Sequence, residues 1–245
     1  MSLAMPLPDI SAIHNQYLAL SGVARERFSG LLGGKVLLST GPDGLPSIIA
    51  ASIAGAASLW VESDAEMLRA AMRAGLCDFV VGTLDEALRI LKNEVRQKRA
   101  VSVGLQSDPA SCLRECVDRG FQPDLLMGLP ASLQEPMQII VERGAVLLPP
   151  SGPPEHGTSL LCWSVDSDAA HTMRRIGQIA AESLDAARAD TPDRQHWLKS
   201  APRYLGRAFA NRQCVRMDRD ESAMFVARVR SEFPAVTLST DDAGT

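Results

Sequence analysis

The sequence contains no long apolar run, no block of like charges and no signal-peptide pattern near residue 1. No stretch approaches the roughly 18 consecutive apolar residues that indicate a membrane-spanning helix. Lysine and arginine number 25 against 29 aspartates and glutamates, a formal net charge of −4. Neither a nucleic-acid backbone nor an anionic lipid surface would therefore attract the chain. Because the basic region and apolar core of a signal peptide are both missing, we expect a cytoplasmic protein that binds no nucleic acid and no membrane.

Cysteines are few and show neither disulfide nor metal spacing. The five are Cys77, Cys112, Cys116, Cys162 and Cys214. An odd number without a CxxC pair argues against a disulfide framework and against a zinc ribbon. Cys112 and Cys116 would share one face of a helix, but two ligands without a nearby histidine pair do not make a metal site. We expect reduced thiols and no bound metal.

Short apolar runs alternate with segments of helical period over residues 35–148. Buried strands are predicted at 36–39, 58–62, 78–82, 101–105, 124–128 and 145–150, and helices at 64–76, 83–99, 108–120 and 132–144. Strands that are apolar on both faces are typical of a parallel sheet covered by helices. The sequence therefore predicts the α/β class, with a Rossmann-like, mostly parallel sheet.

The ends of these predicted helices carry matching signals. Asp64, Thr83 and Asp108 stand where N-caps belong, and Glu86 would complete a capping box with Thr83. The glycines that would end helices are Gly75, Gly120 and Gly144.

The flanks of the sheet region are less regular. Residues 1–32 are predicted to form an N-terminal helical arm, 33–150 the Rossmann-like domain, and the turn-rich 151–158 a linker. Residues 159–233 indicate a smaller C-terminal α/β segment, with strands at 159–165 and 213–217 and helices at 168–189, 192–208 and 219–232. The polar residues 234–245 are expected to be a flexible tail.

A ligand site is predicted at the carboxyl ends of the first two strands. In a parallel sheet, glycines at that edge let backbone amides and a helix N-terminus approach a phosphate. The run TGPDGLP places Gly41 and Gly44 there, and Glu62 ends the second strand. An acid about 20 residues beyond the glycine turn is the position that binds a ribose in dinucleotide folds. The three residues are consistent with a dinucleotide site, although a bare turn explains the glycines equally well.

Six consecutive pieces of the chain, in order and with matching spacing, resemble the NAD-binding domain of urocanase, the urocanate hydratase of histidine breakdown. The pieces are RERFSGLLGGKVLLSTG, GPDGLPSIIAASIAGAASLWVESD, RAGLCD, LDEALRILKNEV, AVSVGL and RGFQPDLL. The resemblance covers about residues 25–150 and extends weakly to 217. It implies NAD as the cofactor, with Gly41 and Gly44 at the pyrophosphate and Glu62 at the adenosine ribose.

The resemblance also implies an active-site cysteine. Residues 196–214 are similar in position to the family segment that ends in such a cysteine, which corresponds to Cys214. A reactive Cys214 would be partly exposed, with Arg212 and Arg216 on the same face of a strand. A core cysteine entering a short strand is the alternative.

The chain departs from the family pattern where the family meets its cofactor. Leu45-Pro46-Ser47 stands in a shortened glycine loop, and Pro46 has no amide hydrogen to offer a phosphate. Ser107-Asp108-Pro109 replaces a family GNA, with Asp108 a plain N-cap, and residues 128–136 replace a polar segment that contains a histidine. Segments that complete the family's substrate site lie outside the matched region.

Three functions stay open at this point. The first is a urocanase-like protein that binds NAD or another nucleotide weakly and lacks much of the hydratase site. The second is an active hydro-lyase on a urocanate-like small acid, with the site completed by a partner subunit of a homo-oligomer. The third is a non-catalytic oligomerisation or interaction module, for which the stripe Ile176, Ile179, Ala180 and Leu184 of helix 168–189 is the interface candidate and core burial the alternative.

Overall fold

The computed structural model of the chain describes residues 8–127, 133–148, 157–166 and 169–241. The chain divides into two compact units, residues 1–151 and 152–245. Most of the predicted linker 151–158, the end of the predicted strand 145–150 and residues 128–132 lie outside the described residues.

The first unit alternates helices and strands along the chain. Its elements are α1 (Ile10–Arg27), β1 (Val36–Thr40), α2 (Gly44–Ile53), β2 (Ala57–Glu62), α3 (Ala65–Arg73), β3 (Phe79–Val81), α4 (Leu84–Arg96), β4 (Val101–Gln106), α5 (Pro109–Asp118), β5 (Leu125–Met127), α6 (Gln134–Glu142) and β6 (Val146–Leu147). These strands pair in parallel in the order β3-β4-β2-β1-β5-β6. The predicted Rossmann-like α/β class is confirmed.

Local side-chain hydrogen bonds begin the helices where the sequence predicts them. The Asp64 carboxylate accepts from the amides of residues 66 and 67, and the Asp108 carboxylate accepts from the Ser111 amide at 2.8 Å. Thr83 Oγ1 accepts from the Glu86 amide at 3.3 Å, but the Glu86 carboxylate accepts from the Gly82 amide. The predicted capping box therefore forms only its first half.

Apolar side chains from both sheet and helices make the core of the first unit. Leu38, Leu59 and Val103 of the central strands pack with Leu91 and Leu113 of the covering helices. Each buried leucine or valine contributes about 1.5–3 kcal/mol relative to leaving it in water. The central strands β1 and β2 are buried along their whole length.

Two strands differ from the prediction that every strand is buried. Phe79 in β3 and Leu147 in β6 are exposed. The strand order places β3 and β6 at the two edges of the sheet, where a strand has a neighbour on one side only.

The second unit is a small antiparallel sheet with three helices packed against it. Its elements are β7 (Thr158–Ser164), α7 (Ala169–Ser183), α8 (Thr191–Tyr204), β8 (Arg212–Asp218), α9 (Arg219–Glu232) and β9 (Thr237–Asp241), with a 3-10 turn at Arg207–Phe209. The strand order is β8-β7-β9. Residues 237–241, predicted as part of a flexible tail, instead pair with β7. The pairing satisfies the hydrogen-bonding groups of their backbone, and the polar side chains of the segment do not indicate it.

The apolar stripe of α7 is part of the core of the second unit. Ile176, Ile179 and Ala180 of α7 are buried, as is Leu184 one residue beyond its end, and α7 packs on α8 and α9. The hypothesis that this stripe is an interface for a partner chain is therefore wrong, since the side chains are already covered. Within the described ranges, no helix combines the length and apolar character needed to cross a membrane.

Gly177 lies inside α7 without a steric reason to be glycine. A Cβ built there would meet Gln213 Oε1 at 3.5 Å, an ordinary contact. We expect Gly177→Ala to raise the free energy of unfolding by about 0.5–1 kcal/mol, because alanine loses less backbone entropy in a helix. Urea unfolding followed by the fluorescence of Trp163 and Trp197 measures this, and a decrease in stability would contradict it.

Candidate functional site

The carboxyl ends of β1, β2 and β4 lie side by side at one edge of the parallel sheet. Thr40 pairs with Val61, and Glu62 pairs with Gln106. The strand β1 has β2 on one side and β5 on the other. The order in which successive strands are added to the sheet therefore reverses at β1, and ligands of open α/β sheets bind at such a point. Residues 128–132, which follow β5, lie outside the described residues. The described part of this edge is therefore the turn after β1 together with the end of β2.

The turn after β1 is closed by its own backbone hydrogen bonds. The Gly41 amide donates to Val61 O at 2.9 Å, and the Gly44 amide donates to Gly41 O at 3.0 Å. Gly41 has φ +70°, a conformation that glycine adopts at little cost. Both amides that the sequence assigns to a pyrophosphate are thus already donated within the fold.

Trp60 occupies the space beneath this turn. Its indole Nε1 donates to Gly41 O at 2.7 Å, and the side chain is fully buried. A Cβ at Gly44 would lie 2.5 Å from Trp60 Cδ1, closer than real Cβ contacts come. Gly44 is therefore required by the packing of an aromatic ring, independently of any ligand.

Glu62 is a buried carboxylate with one oxygen in use. Its side chain is 5% exposed. Oε1 accepts from the Asp64 amide at 2.8 Å and from Ser63 Oγ at 3.3 Å, so it supports the turn that begins α3. Oε2 is buried and has no hydrogen-bond partner among the described residues. A buried charged oxygen without a donor is costly, which marks this atom as a place for a donor from a ligand.

A family model described as the urocanase Rossmann-like domain matches residues 11–138, more than half of the chain. The chain belongs to the urocanase family. The match begins in α1, so it includes residues 11–32 of the predicted N-terminal arm, and it ends before the second unit. The relationship predicted from the sequence is confirmed, and its weak continuation to residue 217 stays a prediction.

Among the solved structures that match is one that covers much of the chain but with little structural agreement. It is the protein arginine methyltransferase 10 of Arabidopsis thaliana, at 14% identity and a TM-score of 0.30, with 80% of this chain and 51% of that chain covered. The chain thus spans about half the length of the methyltransferase. At this TM-score the similarity bears on neither the fold nor the function of the urocanase-family chain.

Asp108 is the N-cap of α5, as the sequence predicts. The hydrogen bond from the Ser111 amide holds the pKa of the Asp108 carboxyl below its usual range. The charged form is therefore the one that begins α5, as the sequence predicts.

Cys214 belongs to the second unit, whereas Gly41, Gly44 and Glu62 belong to the first. It is fully buried in the middle of β8, opposite Cys162 of β7, and its carbonyl accepts from Trp197 Nε1 at 2.6 Å. The partial exposure expected of a reactive thiol is not found. Arg216 is buried and Arg212 is exposed, so the two arginines do not form an exposed pair of cations beside the Cys214 thiol.

All five cysteines carry reduced thiols, and those of Cys77 and Cys112 are buried in the first unit. Burial raises the pKa of Cys77 to about 11. The Cys116 thiol, and then burial, raise the pKa of Cys112 far above its usual range. Because the thiolate is the reactive form, these side chains act as small core residues. The described residues contain no group of three or more side chains placed to hold a metal ion.

Trp60 is the residue of this edge that sequence reasoning missed. It lies two positions before Glu62 in β2, so both side chains project from the same face of the sheet. The run SLWVE predicts a buried strand, but nothing in it shows that the ring reaches the turn after β1. A large side chain two residues before the strand-end acid is the signal that could have suggested it.

Proposed function

We propose that this urocanase-family chain binds a nucleotide weakly, with NAD the first candidate, and holds it through the ribose at Glu62. The observation that carries the proposal is Glu62 Oε2, a buried oxygen that accepts no hydrogen bond from the described residues, on a residue that is 5% exposed at the end of β2. Ribose hydroxyls are donors of the right kind, and the carboxyl end of the second strand is where dinucleotide folds place an acid for them. Family membership supports NAD over other nucleotides.

The turn after β1 limits the affinity of the chain for the diphosphate of a dinucleotide. To bind a diphosphate, the Gly41 and Gly44 amides would have to leave Val61 O and Gly41 O. Pro46 has no amide hydrogen, and Leu45 is buried at the start of α2. In this conformation the two amides do not fit a pyrophosphate, so we expect recognition led by the ribose, with the Glu62 side chain moving to bring its buried Oε2 to the ribose hydroxyls.

The other two functions have less support. An active hydro-lyase of the urocanate hydratase type would need the Cys214 thiol to be accessible, and that thiol is buried. An interaction module would need an uncovered apolar face, and its best candidate on α7 is core. The homo-oligomer stays a prediction.

Calorimetric titration of the full chain with NAD, and with its 2′-deoxyadenosine analogue, tests the ribose contact. We expect NAD to bind in the high-micromolar to millimolar range. Glu62→Gln should weaken binding about tenfold or more, because a charge-assisted hydrogen bond to the ribose is lost. The deoxy analogue should bind the unmodified protein as weakly as NAD binds the variant.

Glu66→Gln is the matched control, since Glu66 is an exposed carboxylate on the adjacent helix α3 and should not affect the titration. Unchanged affinity in Glu62→Gln, or no binding of NAD up to several millimolar, would refute the proposal.

A further inference from the structure

A groove of about 810 Å³ lies in the second unit, between α7, α8, the 3-10 turn and the start of β8. The two helices present residues spaced three and four apart, the repeat of one helix face. Along α7 these are Met173, Gly177 and Ala181, and along α8 Gln195, Leu198 and Pro202. The groove is thus formed within one unit and lies outside the region of the urocanase match.

The interior of the groove is mainly apolar. Its apolar lining consists of Ala170, Met173, Ala181, Leu198, Pro202, Phe209 and Ala210. Gly177 and the two alanines of α7 leave space on the α7 side of the groove, because larger side chains at these positions would extend into it. The absence of a side chain at Gly177 lowers helix stability and leaves space in the groove that this residue lines.

Five cationic side chains line the same groove, and all are exposed: Arg174, Lys199, Arg203, Arg207 and Arg212. None of its lining residues is acidic. Within the described part of the chain, none of the five lies within ion-pair distance of a carboxylate, whereas the other arginines of this unit include four that do. Those are Arg175, Arg188, Arg194 and Arg228. Positive charge without internal compensation is therefore concentrated around an apolar space.

We propose that this groove binds a small organic anion that has an apolar body and a carboxylate or phosphate group. Pockets of roughly 300–1,000 Å³ with an apolar lining and a few polar groups are typical of small-molecule sites, and the groove lies within that range. Arginine forks pair with carboxylate and phosphate oxygens through parallel hydrogen bonds. The apolar lining covers the body of the ligand, and the cations hold its anionic group. This site is independent of the nucleotide site of the first unit.

Fluorescence titration of the full chain with anilinonaphthalene sulfonate tests the proposal, with N-phenylnaphthylamine as the uncharged dye of the same body. We expect saturable binding of the sulfonate and much weaker binding of the uncharged dye. Arg207→Gln/Arg212→Gln should weaken sulfonate binding about tenfold or more, because two charge-assisted contacts are lost. The double variant Arg219→Gln/Arg230→Gln, which removes the same charge from exposed positions of α9, should leave the affinity nearly unchanged.

Equal losses in the two double variants, or equal binding of the two dyes, would overturn the proposal. Competition then identifies the anionic group, because naphthoate and naphthyl phosphate share an apolar body. Displacement of the sulfonate by either compound supports the proposal and selects its ligand class, and displacement by neither overturns it.

Discussion

Replacing Arg194 by methionine should lower the free energy of unfolding by about 3–5 kcal/mol, because the change leaves a buried carboxylate without its counterion. Arg194 and Glu221 are 1% and 2% exposed, and Nη1 lies 2.6 Å from Oε2. The guanidinium also donates to Arg216 O and Thr191 Oγ1. One side chain therefore connects the start of α8, the strand β8 and the start of α9.

Urea unfolding followed by tryptophan fluorescence in a Trp60→Phe background reports on this unit, because Trp163 and Trp197 are then the emitting side chains. Arg175→Met is the matched control, since the Arg175–Glu232 pair is half-exposed, with 35% and 37% of the side chains accessible, and such pairs contribute about 0–1 kcal/mol. Adding Glu221→Gln to Arg194→Met should recover part of the loss, because the charge is removed while an acceptor remains for the Asp218 amide. Similar losses in Arg194→Met and Arg175→Met would contradict the prediction.

Gly44→Ala should lower the free energy of unfolding by about 1–3 kcal/mol, the usual effect of forcing an extra methyl group into a packed core. The new Cβ would lie 2.5 Å from Trp60 Cδ1, 2.8 Å from its Nε1 and 3.1 Å from Ser39 Oγ. Movement of Trp60 away from the methyl group would cost free energy, because its Nε1 donates a hydrogen bond to Gly41 O. The sign is opposite to that expected for Gly177→Ala, although both glycines lie in helices.

A double-mutant cycle with Trp60→Leu separates packing from other effects of the methyl group. In the Trp60→Leu background the ring is absent, so Gly44→Ala should cost much less than in the unmodified protein. Equal costs in the two backgrounds would show that Trp60 is not the reason for the glycine. If the coupling is found, the glycine that resembles the urocanase phosphate loop has a structural reason that needs no cofactor.

Much of the first unit could be predicted from the sequence because its signals are local. Asp64, Thr83 and Asp108 begin helices through bonds to amides two or three residues away, and such bonds depend on a short window of sequence. The candidate site was only partly predictable. Glu62 lies at the strand end where the spacing indicates it. Which of its two carboxylate oxygens accepts a hydrogen bond depends on the fold around it.

The order of the strands could not be obtained in the same way. The exposure of β3 and β6 follows from their places at the sheet edges, and the pairing of β9 with β7 joins residues more than 70 positions apart. The side chain of a residue does not specify which distant segment will form hydrogen bonds with its backbone N–H and C=O groups.

The sequence by itself determined the α/β class, the family and the helix starts, because periodicity and capping act over a few residues. The tertiary structure alone decided that Trp60 fills the turn after β1, that Cys214 is buried and that five cations surround one groove. Those cations are spread over residues 174–212 on different elements, so no run of like charge marks them in the sequence. Packing, ion pairing and burial depend on distances between segments far apart in the chain, and folding sets those distances.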